Sequence, residues 1–153
     1  HLTKSQVQDC EALPELLDEV EELLGSVTGD GAYDRFSCYE EAEKRKCKGI
    51  FPPQRNAVTS RERPRNKKKA SQGAVEKRDE AIEQVRLMGR KEWKKEVGYH
   101  RRSLAETGIG RLKTIFGNEL RSRKWANQVV ELRLRCTALN KMTALGMPQT
   151  VAL

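Results

Sequence analysis

The chain has 153 residues, 34% of them charged and 5% aromatic, with a net charge of +8. That length allows one domain with a modest core. No apolar run approaches the ~20 residues of a membrane span, so no membrane is expected as a partner, and the basic balance points to a polyanion. The charge is unevenly spread. Residues 1–51 carry 6 basic and 12 acidic side chains, whereas residues 52–128 carry 21 basic and 9 acidic ones. A basic block of this kind is the usual footprint of nucleic-acid binding, with a generally solvated charged surface as the plainer alternative. Cys10, Cys38, Cys47 and Cys136 show no C-x-x-C spacing, and two histidines are too few to complete a zinc site. Reduced thiols, buried as small apolar groups in a cytoplasmic protein, are expected.

Residues 9–24 read as an amphipathic helix with Asp9 as N-cap and Leu13, Leu16, Leu17, Val20, Leu23 and Leu24 as its stripe. Pro14 fits only in a first turn, so the regular helix is expected to begin a residue or more after Asp9. A short β-prone run, 26–29, then delivers Asp30. A carboxylate at the C-terminal end of a buried strand sits where α/β folds open a crevice, although Asp-Gly also favours a plain turn. Residues 34–47 read as a helix, with Asp34 starting it. Gly49-Ile50-Phe51 follows as a second strand stopped by Pro52-Pro53. Strand, helix and strand in ~30 residues make a βαβ unit with parallel strands.

From 54 to 73 there is no apolar periodicity. Arg55, Arg61, Arg63, Arg65, Lys67, Lys68 and Lys69 face the single acid Glu62. The stretch reads as a mobile basic loop that neutralises phosphates without reading sequence, or as a solvated linker. Residues 74–88 form a helix along Val75, Ala81, Ile82, Val85 and Met88. Between Gly89 and Gly98 lies a short segment whose Trp93 either packs inward or stacks on a base.

Residues 99–116 read as one helix. At 100° per residue, Tyr99, Arg102, Glu106 and Lys113 fall within an arc of about 60°. The opposite arc holds Leu104, Ala105, Ile109, Leu112, Ile115 and Phe116 and should seek a core. By periodicity alone this is a surface helix with an Arg102–Glu106 pair. A last long helix, about 121–143, carries Trp125, Val129, Leu132, Cys136, Leu139 and Met142 inward, and Gly146 and Pro148 stop it.

The spacing Tyr-x2-Arg-x3-Glu-x6-Lys at 99–113 resembles the signature of the DDE transposases of bacterial insertion sequences. Gly29-Asp30-Gly31-Ala32-Tyr33-Asp34 and Asn140-Lys141-Met142-Thr143 resemble further blocks of that family, in its order. The resemblance implies an α/β fold, the C-terminal portion of a ribonuclease-H-like fold, predominantly helical with two short parallel strands. It implies that Asp30 and Glu106 are catalytic, metal-binding acids for Mg2+ (or Mn2+), and that Tyr99, Arg102 and Lys113 contact transposon-end DNA. The implied activity is DNA cleavage and strand transfer by two-metal phosphoryl transfer. The basic residues Arg61, Arg63, Arg65, Lys67, Lys68 and Lys69 would add contacts to double-stranded DNA at transposon ends and target.

The family's first catalytic Asp lies on a strand preceding the helix at 9–24, and nothing before Asp9 matches it. The expectation is therefore an N-terminally incomplete transposase spanning 1–153, partnered by the upstream part of the same protein, and compatible with a homodimer on nucleoid DNA. Alone it should be inactive, with apolar surface exposed on the helices at 9–24 and 121–143. The alternative is a non-catalytic basic DNA-binding helical module or remnant.

Overall fold

The computed structural model describes residues 8–63 and 70–146. It contains helices α1 (Asp9–Asp18), α2 (Phe36–Lys44), α3 (Gln72–Met88), α4 (Arg90–Glu96), α5 (Ser103–Phe116) and α6 (Trp125–Ala144), and strands β1 (Ser26–Thr28) and β2 (Lys48–Ile50). Short 3-10 turns occupy Gly31–Tyr33 and Tyr99–Arg102. The described chain divides into two compact units, one up to Arg102 and one from Ser103.

In the first unit β1 and β2 pair in parallel, with Val27 opposite Gly49 and Thr28 opposite Ile50, and α2 makes the crossover between them. The expected βαβ unit is present. Its core gathers Cys10, Leu13 and Leu17 from α1, Cys38 and Tyr39 from α2, then Phe51 and Ala74. The Tyr39 ring meets Phe51 edge-on at 5.1 Å, and its hydroxyl donates to the Phe51 carbonyl. Leu13 and Leu17 are buried, so α1 does not expose its stripe as expected. A second cluster joins Ile50, Ala81 and Trp93, with Val85, Val97 and Tyr99 against it. Trp93 is buried and its ring N–H donates to Gln84, so it packs rather than stacks on a base.

Two boundaries of α1 differ from expectation. Pro14 lies inside the helix, which begins at Asp9. Proline leaves the Cys10 carbonyl without its i+4 amide donor, and the Cys38 thiol points to that oxygen at 3.9 Å. The helix also ends at Asp18 rather than 24, leaving Leu23 fully exposed. Arg45 lies against this end: its guanidinium pairs with the Asp18 carboxylate and donates to the carbonyl of Val20, two residues past the helix. The carbonyls past a helix end have no intrahelical partner, and the Arg45 donor satisfies one of them.

The basic loop is not free over its described part. The Gln54 amide donates to Asp34, the Ser60 amide and hydroxyl to Asp79, and the Thr59 amide to Glu62. Glu62 also accepts two hydrogen bonds from Arg86, both 3.0 Å. That pairing and the Thr59 amide hold the Glu62 carboxyl well below the usual carboxylate range, at about 2. The expectation of a mobile loop is corrected for 54–63. Arg65, Lys67, Lys68 and Lys69 lie outside the described residues.

In the second unit α5 packs on α6, and Arg111 donates to the Thr143 hydroxyl. No α5 residue is buried, and Leu104, Ile109 and Ile115 are exposed. The apolar arc thus finds no core within this unit, because two packed helices cover only one seam of each other. The inward face of α6 is also displaced from the expected stripe. Arg135 and Leu139 are buried, while Trp125, Cys136 and Met142 are exposed. Arg135 holds the α5–α6 connection by donating to the carbonyls of Gly117 and Glu119 and pairing with Glu131. Glu131 in turn accepts from the amides of Arg121 and Ser122, which lower its carboxyl to about 2. No helix among the described residues is long and apolar enough to cross a membrane.

Candidate active site

Asp30 stands directly beyond the C-terminal end of β1, where Gly29 extends the ladder by donating to the Ile50 carbonyl. It caps the 3-10 turn that follows: Oδ1 accepts the Ala32 amide at 2.9 Å. The other oxygen, Oδ2, lies 3.5 Å from the Arg102 guanidinium, and the side chain remains 45% exposed. The carboxylate is therefore fixed by a backbone donor yet open to solvent.

The surrounding block has a physical logic residue by residue. A Cβ at Gly29 would fall 2.6 Å from Tyr33 ring carbons, so only glycine lets that ring close over the strand end. The Tyr33 ring then stacks 6.0 Å from Phe51. Burial, followed by the charges of Asp9 and Asp30, pushes its phenol above the ordinary range. Asp34 is not the helix cap but a buried anchor. Its carboxylate takes two hydrogen bonds from Arg78, at 2.8 and 3.1 Å, and one from the Gln54 amide. Arg78 further donates to the Val58 carbonyl and lies over the Phe36 ring. Sequence reading missed this pair, since its partners are 44 residues apart and no local pattern couples them.

The stretch 99–116 is not one α-helix. Gly98 adopts φ 72°, a left-handed conformation that favours glycine. A 3-10 turn then carries Tyr99 and Arg102, and α5 begins only at Ser103. The common arc of four residues is thereby corrected: Tyr99 and Arg102 belong to the first unit, Glu106 and Lys113 to the second. Within α5, Glu106 and Lys113 are seven residues apart, share a face, and are both exposed. Tyr99 is half-buried against the Ile50 cluster, with the Lys94 ammonium 4.6 Å from its ring centroid. Arg61 and Arg63 are exposed, and Arg61 reaches Glu83 at 4.0 Å.

Among the described residues, no three His, Cys, Asp or Glu side chains converge to hold a metal ion. Asp30 offers the oxygen donors that suit Mg2+, so the donor type fits a hard divalent cation but the number of ligands does not.

No solved structure matches the chain. A family model described as the transposase DDE domain matches residues 1–141. That match spans the strand end bearing Asp30, the basic loop and the Tyr-Arg-Glu-Lys stretch together, and the chain belongs to this family of DNA transposition enzymes.

Proposed function

We propose that this chain is the C-terminal part of a DDE transposase catalytic domain of ribonuclease-H-like fold, acting in DNA cleavage and strand transfer of an insertion sequence. The observation that carries the reading is the family match over 1–141 together with an exposed carboxylate at the end of β1. Asp30 and Glu106 are the acids assigned to a divalent cation, Mg2+ or Mn2+. In this proposal the remaining acid of the site is assigned to an upstream segment of the same transposase. Among the described residues β1 pairs only with β2, and its other edge is where that segment would add a strand.

Arg102 and Lys113 hold backbone phosphates near these acids. The side chains of Arg61, Arg63, Arg65, Lys67, Lys68 and Lys69 add contacts without base readout. A homodimer on DNA belongs to the same proposal. A non-catalytic basic module is not favoured, because the match is not confined to the basic stretch.

Glu106→Gln tests the assignment in the chain joined to its upstream coding sequence. Metal-dependent strand cleavage should disappear while duplex binding persists. Cleavage at an undiminished rate would remove Glu106 from the site.

A further inference from the structure

We propose that the cavity between the start of α2 and the 54–63 loop is a phosphodiester-binding subsite for the DNA backbone, a role that rests on the transposase reading above. The cavity has a volume of about 480 Å3, and Asp34, Arg35, Ser37, Asn56, Arg63 and Arg78 are among its lining residues. Its electrostatics are one-sided. Asp34 supplies the one carboxylate in the lining, and that carboxylate has no exposed surface and is already committed to Arg78 and the Gln54 amide. The Asp34–Arg78 charges cancel, and among the described residues no carboxylate pairs with Arg35 or Arg63, so the opening carries a net positive charge.

Both of these arginines are exposed. Arg35 gives one donor to the neutral Gln8 amide oxygen, which leaves its charge unneutralised. Ser37 and Asn56 line the same opening and add polar, uncharged surface to it. A guanidinium fork matches a phosphate oxygen pair, so the two arginines suit successive backbone phosphates, one each.

The walls are also fixed before any ligand arrives. Asp34 ties the start of α2 to Gln54, and Arg78 ties it to the Val58 carbonyl. Further along the loop, Asp79 and Glu62 hold Ser60 and Thr59. A preformed cradle loses little freedom on binding. This subsite adds Arg35 and Ser37, from the acid-rich first third of the sequence, to an interface otherwise expected from the basic stretch alone.

The test measures duplex DNA binding by the whole chain across a series of salt concentrations. Arg35→Gln and Arg63→Gln should each reduce the slope of log K against log[salt] by about 0.9, the value for one lost phosphate contact. Lys44→Gln, at the far end of α2, should leave the slope unchanged. In the parent chain the amide resonances of Phe36 and Ser37 should shift on adding the duplex. If the parent binds DNA and the Arg35 and Arg63 variants keep its slope, the subsite is overturned and the transposase reading stands. A parent chain that binds no duplex overturns both. Shifts at Phe36 and Ser37 with a mononucleotide but not with duplex would make the ligand a free nucleotide and overturn the backbone proposal.

Discussion

The Arg102 guanidinium sits 3.5 Å from Oδ2 of Asp30, so the carboxylate assigned to a divalent cation has an arginine as its counter-ion. A cation and a guanidinium compete for the same negative charge. Arg102→Gln should therefore tighten Mn2+ binding at Asp30, by up to about fivefold, since a partly exposed ion pair is worth about 0–1 kcal/mol. The same substitution should weaken duplex binding. Titration of the Mn2+ electron-spin signal and of DNA anisotropy, on one preparation, reads both. Asp30→Asn in the same titration should weaken Mn2+ binding, and unaltered affinity in that variant would mean that Asp30 does not hold the ion.

Breaking the Asp34–Arg78 pair should be costly. Asp34 has no exposed side-chain surface and Arg78 only 13%. Asp34→Ala strands a guanidinium in a buried setting, at a cost of about 3–5 kcal/mol. The double substitution Asp34→Ala with Arg78→Met should cost less than the sum of the two single ones. Denaturant unfolding of the four proteins measures this coupling, and strict additivity would exclude it.

Acid should release the loop before it unfolds the core. The Glu62 carboxyl is held at about 2 by Arg86 and the Thr59 amide, against about 4.3 for a free glutamate. A depressed folded value means that the contribution is complete above about pH 4.3 and is lost as pH falls towards 2. Protection of the Thr59 amide, its exchange rate relative to the intrinsic rate at each pH, should fall over that window. In Glu62→Gln that protection should be low at neutral pH already and show no such acid step.

Gly29→Ala should disturb the strand end that bears Asp30. The new methyl would stand 2.6 Å from the Tyr33 ring, which is itself stacked on Phe51. Neither ring can yield without repacking, and overpacking of this kind costs about 1–3 kcal/mol. Thermal unfolding should report the loss, and Tyr33→Ala in the same chain should recover part of it by removing the obstacle.

What the sequence determined by itself was local. The β-prone run before Asp30, the proline stop after Phe51 and the apolar stripe of α3 act through residues a few positions apart. The corresponding elements stand within two residues of where that pattern put them: β2 is shifted one residue back, and α3 starts two residues earlier because Ser71 caps it through its hydroxyl. The Gly29–Asp34 and Tyr99–Lys113 spacings pointed to the family because they are chemical patterns, readable before any folding.

Tertiary structure alone decided the remainder, through charges far apart in the chain. Arg45, from the end of α2, holds the chain just past α1 through Asp18 and Val20. Arg78 makes Asp34 an anchor instead of a helix cap, and Arg86 converts the lone acid of a basic run into the pin of that loop. The arc drawn through Tyr99 and Glu106 failed for a related reason. A wheel assumes a uniform 100° step, whereas the 3-10 turn after Gly98 advances about 120° per residue, and the two halves of the stretch fold with different partners. A side chain with a strong enough distant partner overrides the pattern of its neighbours.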